Sequence, residues 1–493
     1  MGYDFDVIII GAGLLGAFTA RSLSRYNWKI GILEKSGDVC TGMSKANTAI
    51  VYPGYDAMPG SLKARLCVKA GASFEGLCAN LGVRFRRPGS LMVSFGPRAD
   101  EVLRKKHEQG LLNGVTDLRL LTGAEVIALE SNINPSVRGA LYAGSTATVN
   151  PWELGLAAAE CAVQNGVELY LHATVDAIEA RGNGYCVRAG TRDFSARAVV
   201  NCAGLQSDKV SELLCRPRLR LKKTAADYLV LDPAASAHIR HIVMHEPETT
   251  GKGATLVPTV DGNLLLGPSR IELDNGDGFE TTSEGTEFLR KTASYVFPKL
   301  PLELAIRSFA TARPGIVTVA VGADGRVRKT GERVRDLAIE APAEHPGFIS
   351  LIGIKTPGLT CCEKIGEYVS DMLLDYMGHP GQNGGYYPRV PRHVRMTELS
   401  FEDQAAAALA RPDYARIVCR CMKVTEGEIR DAIRQSPGAT TLDGIKRRTG
   451  AQMGRCQGGF CTQRILEILA EDLQIPLGEV RKDAPHSVMI CGK

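Results

Sequence analysis

Asp6-Val7-Ile8-Ile9-Ile10-Gly11-Ala12-Gly13-Leu14-Leu15-Gly16-Ala17-Phe18 decides how the rest of the chain is read. The short β-branched run predicts a buried strand, and the Ala/Leu-rich run through Leu23 predicts the helix that follows it. Gly11 permits the tight turn, Gly13 lets backbone amides approach a pyrophosphate, and Gly16 lets helix and strand pack closely. A pyrophosphate there would meet free amides and the positive end of the helix dipole. The next apolar strand ends in Glu34, followed by Lys35, where a carboxylate can grip a ribose hydroxyl. An ordinary glycine turn is the bland alternative; strand, turn, helix and acid in this order argue against it. FAD and NAD share the pattern, so it does not choose between them.

The chain has 493 residues, too long for one core, so two or three domains are expected. With 44% hydrophobic and 23% charged residues it has an ordinary globular composition. A net charge of +5 suits small anions, and no Lys/Arg tract with interleaved aromatics suggests nucleic acid. No signal-like segment precedes the first strand and no run of about 18 apolar residues occurs, so a cytoplasmic protein without a membrane span is expected. Most of the 14 cysteines are scattered, as for reduced thiols, and Cys491 in the tail is read as incidental.

Strand-like and helical runs alternate up to about Met377, which predicts an α/β fold. Alternating patterns in 81–147 and 221–335 suit an antiparallel sheet, while 1–80, 148–220 and 336–377 suit a nucleotide-binding sheet. A Rossmann-like domain with an inserted antiparallel-sheet substrate domain satisfies both. Residues 378–413, rich in Gly and Pro, read as a linker. Residues 414–473 form a small cysteine-bearing helical module, and 474–493 a tail.

Further motifs carry a resemblance. Thr41-Gly42-Met43-Ser44-Lys45-Ala46-Asn47-Thr48-Ala49 and Gly60-Ser61-Leu62-Lys63-Ala64-Arg65-Leu66-Cys67 resemble the glycerol-3-phosphate and L-2-hydroxyglutarate dehydrogenase branch of the D-amino-acid-oxidase-like flavoproteins. Val199-Val200-Asn201-Cys202-Ala203-Gly204 is similar to that family's second glycine strand, and Gly353-Ile354-Lys355-Thr356-Pro357-Gly358-Leu359-Thr360 to its C-terminal flavin turn. The resemblance spans about residues 1–375 and implies FAD. It also implies that Met43, Ser44 and Asn47 lie near pyrophosphate and flavin, Val175 beside the adenine, and Ala203 and Gly204 along the cofactor. The Gly358, Leu359 and Thr360 amides would face the flavin N1–C2=O edge, stabilising negative charge there as an oxyanion hole does.

Cys419-Arg420-Cys421 and Cys456-x4-Cys461 make two close pairs of thiols, the set a [2Fe–2S] cluster uses. The module resembles the bacterioferritin-associated-ferredoxin-like [2Fe–2S] domain. A structural zinc site is the main alternative, although zinc more often uses C-x2-C spacing. Thr425-x-x-Glu428 and Thr440-Thr441-Leu442-Asp443 look like helix starts.

On the substrate side, Arg313 in Thr311-Ala312-Arg313-Pro314 resembles the family position that binds a carboxylate or phosphate, and an Arg suits bidentate capture of either. Lys252, in Gly251-Lys252-Gly253, matches a second family motif. Tyr52 stands where relatives often have His, and an unperturbed Tyr is a poor base at neutral pH. Either a cation, with Lys355 the candidate, lowers its pKa, or the proton acceptor lies elsewhere. Lys223-Thr224-Ala225-Ala226-Asp227-Tyr228 departs from the relatives' Arg-Gly-Glu-Tyr-Tyr. His238, His241 and His245 are read as ordinary histidines rather than metal ligands.

The expectation is thus an FAD dehydrogenase acting on a small anionic hydroxy substrate and relaying electrons singly through a cluster. The resemblance extends to the anaerobic glycerol-3-phosphate dehydrogenase large subunit, which implies companion flavin or iron–sulfur subunits, some attaching the complex to a membrane. The alternatives are an amino-acid, amine or 2-hydroxy-acid dehydrogenase of the same fold, and a non-catalytic flavin/iron–sulfur electron-transfer subunit.

Overall fold

Val7 and Ile9 point to one side of the strand Phe5–Ile10, Ile8 and Ile10 to the other, and both sides are buried. That is why the run is apolar throughout instead of alternating. The computed structural model describes residues 3–248, 253–272, 279–322, 324, 326–391 and 393–490. Strand Phe5–Ile10 lies parallel between Ile30–Leu33 and the end of Arg192–Asn201, with Glu168–Tyr170 and Phe348–Ile352 continuing the parallel sheet outward. Helices Leu14–Leu23, Pro151–Gln164 and Gly358–Met377 pack on the Val7/Ile9 face through Phe18, Leu154 and Ile365. The antiparallel strands Val175–Arg181 and Gly184–Ala189 continue the sheet from the start of Arg192–Asn201 and fold onto the other face, where Ile178, Val187 and Phe194 meet Ile8 and Ile10. Each of these fully buried side chains contributes about 1.5–3 kcal/mol of transfer free energy.

A ten-stranded sheet stands beside it. Its spine is the long antiparallel pair Leu219–Leu231 and Ala305–Val321, in which Thr224 faces Arg313 and Tyr228 faces Phe309. Helix Ser283–Val296 covers one face with Leu289, Ala293 and Val296. On the opposite face Met92, Met244 and Tyr228 pack with Tyr52 and Tyr55 and turn toward the first sheet. The cleft between the sheets holds a cavity of about 1600 Å³. Helix Leu62–Leu81 starts at its edge. Ser61 caps the amide of Ala64, and Asp336 accepts from Leu62 N and Lys63 N at 3.0 and 2.8 Å.

Within the stretch read as a linker, residues Phe401–Ala410 form a helix capped by Ser400. Before it, Tyr387, Arg389, His393 and Arg395 lie along the first sheet's helices, with Arg395 on Glu153 at 2.6 Å and His393 on Glu160 at 2.9 Å. The C-terminal module pairs short strands Ile417–Cys419 and Val424–Thr425 with helices Glu426–Arg434, Leu442–Thr449 and Cys461–Leu473 around Ile429, Ile445 and Ile465. Thr425 and Glu428 form a capping box, and Thr441 caps the next helix. The tail is folded against this module, its carbonyls at Arg481 and Lys482 accepting from Leu442 N and Asp443 N. Among the described residues no helix is long and apolar enough to cross a membrane.

Candidate functional site

At the turn after the first strand, Gly11 has φ of +101°, and a Cβ there would stand 2.7 Å from the Cys202 carbonyl oxygen. A Cβ on Gly16 would overlap the Gly11 carbonyl at 1.9 Å, so only glycine closes this corner. Gly11, Gly13, Leu14 and Leu15 line the cavity, whereas Gly16 works behind it as the helix–strand joint. Glu34, buried at 7% exposure, accepts from Ala12 N at 2.7 Å and Ser36 N at 2.9 Å, tying the second strand to the glycine turn. Leu14 N donates to Ser44 Oγ at 3.0 Å, and Asn47 bonds back to the Ser44 carbonyl, which sets the loop over the helix start. Glu34, Lys35, Met43, Ser44, Asn47, Val175, Ala203 and Gly204 all line the same cavity. A glycine-lined channel running from a helix N-terminus, with a carboxylate beside it, fits an extended dinucleotide.

The other end of the cavity is built by the turn Lys355–Thr360, where a helix opens at Gly358. Thr360 is buried; its Oγ1 accepts from Tyr52 N at 3.1 Å and so fastens the turn to the strand end carrying Tyr52. Gly358, Leu359, Lys355, Tyr52 and Arg313 line this end. Arg313 is half-buried and donates from Nη2 to Thr356 Oγ1 at 3.2 Å, joining the long strand of the second sheet to the turn. Gly353 does not line the cavity. It has φ of +60°, and a Cβ would meet Leu221 and Ile316 at 2.6 and 2.7 Å, so it is where the two sheets are wedged together. Lys252 lies outside the described residues, as does Cys491.

Burial pushes the Tyr52 phenol up to about 12, against smaller opposing pulls from a hydrogen bond with Thr48 and from the charge of Arg313. The cation acting on Tyr52 is therefore Arg313 rather than Lys355, and it does not outweigh burial. Tyr52 is a neutral hydroxyl at physiological pH, a donor rather than a base. Burial also lowers Lys63, which lines the cavity near the start of its helix. Asp227, where the sequence departs from the resemblance, is on the far side of the sheet. Its carboxylate accepts from Ser269 Oγ and from Thr282 N and Oγ1 at 2.9–3.0 Å, holding the start of helix Ser283–Val296. The adjacent Tyr228 is the residue that reaches the cavity. The histidines do not converge: His241 Nδ1 bonds Glu130 at 2.8 Å, and His245 packs against Phe95 and Tyr295.

In the C-terminal module the four thiols come as two pairs. Cys421 lies 3.5 Å from Cys456, and Cys419 interacts with Cys461 at the start of the last helix. The Cys461 contact, opposed by burial and helped by the amides of Gln452, Met422 and Cys421, lowers Cys419 to about 6. Cys456 is raised by burial but drawn down further by Cys421 and the amides of Gly458, Phe460 and Gly459. Gly454 lets its loop lie against Cys421, since a Cβ would stand 2.3 Å from that residue's Cβ. Two thiol pairs, each ringed by amides, suit a dinuclear cluster with two thiolates on each iron. A mononuclear zinc site would instead gather the sulfurs around one point. Cys419 and Cys461 are buried while Cys421 is exposed, so one edge of the thiol set faces outward.

Cavity and thiols together define a flavin-dependent oxidoreductase carrying an iron–sulfur module. Residues 6–372 match the family of FAD dependent oxidoreductases, and residues 417–471 match the BFD-like [2Fe-2S] binding domain. The chain is 37% identical over 488 residues to a glycerol 3-phosphate dehydrogenase of Caloramator mitchellensis, covering 99% of this chain and 98% of that one. It is 26% identical over 396 residues to a glycerol 3-phosphate oxidase of Mycoplasma pneumoniae, covering 77% and 98%. The solved FAD-bound L-α-glycerophosphate oxidase of Mycoplasma pneumoniae shares the fold, with a TM-score of 0.70 at 24% identity over 78% of this chain and 98% of that one. The chain belongs to the FAD-dependent glycerol 3-phosphate dehydrogenase and oxidase family, in a form that adds a [2Fe–2S] domain.

Proposed function

We propose that this enzyme oxidises the alcohol of glycerol 3-phosphate, or of a closely similar small anion, and sends the electrons singly through its cluster to a companion protein. The observation that carries the reading is Arg313, held by Thr356 at the helix-opening turn and sharing the cavity with Tyr52 and Lys355. When bound, FAD supplies a two-electron acceptor and the [2Fe–2S] cluster a one-electron carrier. Arg313 binds the phosphate or carboxylate by a two-point contact and so fixes which carbon faces the turn. Tyr52 keeps its proton and orients the substrate by donating a hydrogen bond. Lys355 adds positive charge where the anion sits, and Lys252 is assigned the same role on its sequence motif alone. Residues 81–147 and 221–335 form the substrate-binding domain in this assignment.

Support for the electron route comes from how the cysteine loop is seated. Arg455 makes a two-point contact with Asp232 at 2.8 and 2.9 Å, and Arg307 bonds Gln457 at 3.1 Å. Asp232 follows strand Leu219–Leu231, and Arg307 lies on Ala305–Val321, the strand that carries Arg313, so the loop is fixed to the central pair of the second sheet. The exposed Cys421 edge is the side open to a companion flavin or iron–sulfur subunit, in the cytoplasm or at its membrane face. The test is anaerobic mixing of the FAD- and cluster-loaded protein with glycerol 3-phosphate, 2-hydroxyglutarate, lactate, glycine, proline or sarcosine. Flavin bleaching by glycerol 3-phosphate is expected. Bleaching by an amino acid alone, or by none of these, would overturn the assignment.

A further inference from the structure

The loop that follows Glu34 is held from outside its own domain. Asp38 is 4% exposed and lines the cavity with Gly37. Its carboxylate accepts a two-point contact from Arg448, both bonds 2.8 Å, and a third bond from Arg447 at 2.7 Å. Both arginines belong to helix Leu442–Thr449 of the cysteine module and are almost wholly buried. Arg447 reaches on to Asp483 at 2.8 Å, and Asp483 accepts from Lys45 at 2.8 Å. Lys45 is the neighbour of Ser44, which holds the helix start of the glycine turn.

Asp483, Ala484 and Pro485 line the same cavity as Gly13, Glu34 and Ser44. They lie beyond the segments matched by either family, 6–372 and 417–471. The tail is placed there by Asp483 N on Ser487 Oγ at 2.9 Å and by its backbone bonds to Leu442 and Asp443. In this network Arg447, Arg448 and Lys45 face Asp38 and Asp483, which leaves one cation in excess at the wall. An anionic pyrophosphate in the channel would complement it.

We propose that the C-terminal tail at Asp483–Pro485 is a wall of the FAD site, locked in place by the Asp38–Arg447–Arg448–Asp483–Lys45 network, so that FAD leaves only when the cluster module lifts away. The module then serves cofactor retention as well as electron transfer. The network residues are positioning residues; they act by holding the two loops closed over the dinucleotide. FAD retention and cluster assembly have separate signals, so this proposal can fail while the substrate assignment stands.

The experiment uses the full-length, FAD- and cluster-loaded protein and follows FAD release on dilution by the recovery of free-flavin fluorescence. Cluster content is followed in the same samples by electron paramagnetic resonance after dithionite reduction. Asp483→Ala opens the partly exposed end of the network, and Asp38→Asn breaks its buried centre. Glu287→Gln, which loses only an exposed pair with Lys291 on helix Ser283–Val296, is the control. Asp483→Ala is expected to release FAD about tenfold faster, the effect of one charge-assisted hydrogen bond, with its cluster intact. Asp38→Asn should be faster still. Should Asp38→Asn fail to fold, the Asp483→Ala rate decides. Release unchanged in Asp483→Ala, or accelerated equally in Glu287→Gln, would overturn the proposal.

Discussion

Replacing Arg313 by Leu removes the guanidinium at the substrate end of the cavity while keeping a side chain that packs on the same strand. Arg313 is half-buried and already oriented by Thr356, so little ordering is needed to receive an anion. A hydrogen bond between charged groups is worth about 1.5–3 kcal/mol net, and a two-point contact makes two of them. Partial exposure places the sum near the lower end, about 3 kcal/mol. That corresponds to a loss of about 10²-fold in kcat/KM with glycerol 3-phosphate. Arg313→Lys keeps the charge but loses the planar fork and the Thr356 contact, and should cost about tenfold. Stopped-flow flavin reduction under anaerobic conditions separates the two variants from effects on the later electron acceptor. A Leu variant within about threefold of the parent enzyme would refute the role given to Arg313.

With its phenol near 12, Tyr52 stays protonated across the working range, so Tyr52→Phe should lower the rate without moving either limb of the pH profile between about pH 6 and 10. A shifted alkaline limb would make Tyr52 the titrating group after all. Glu34→Gln should weaken FAD binding about tenfold, measured by flavin fluorescence, because the carboxylate holding the Ala12 and Ser36 amides becomes neutral. Asp227→Ala takes the acceptor from the Ser269 and Thr282 hydroxyl hydrogens and from the Thr282 amide, and should cost about 3 kcal/mol in denaturant unfolding, with KM unchanged. Cys421→Ser should abolish or distort the cluster's paramagnetic signal while FAD content stays full.

The features legible in the sequence are those built from neighbours in the chain. Gly11 and Gly16 close a corner only a few residues wide, and their spacing announces it. Cys419 with Cys421 and Cys456 with Cys461 sit in two short motifs that the spacing announces, although the fold then pairs them across the motifs, Cys421 with Cys456 and Cys419 with Cys461. The helix Phe401–Ala410 lies in the stretch read as a linker, although Ser400 and Asp403 stand at the start of an alanine-rich run. The Gly/Pro stretch just before it masked that signal. What could not be read was long-range pairing. Asp38 looks like a loop acid and Arg447-Arg448 like an exposed basic helix end, and nothing in either segment announces the other. Asp227 likewise gave no sign of which face of its strand it takes. The one-residue alternation along Leu219–Leu231 sends Asp227 to the far helix and Tyr228 to the cavity. Gly353 belongs to a cofactor-turn motif by resemblance, yet its space is filled by Leu221 and Ile316 from the second sheet.

The most direct test adds glycerol 3-phosphate stepwise, without oxygen, to the intact protein and records flavin absorbance and the electron paramagnetic resonance of the cluster in the same sample. Bleaching of the flavin together with the signal of a reduced [2Fe–2S] cluster, both diminished in Arg313→Leu, is the expected result. A flavin that stays oxidised, or one that bleaches while the cluster never takes an electron, would contradict a single chain that oxidises this substrate and relays its electrons.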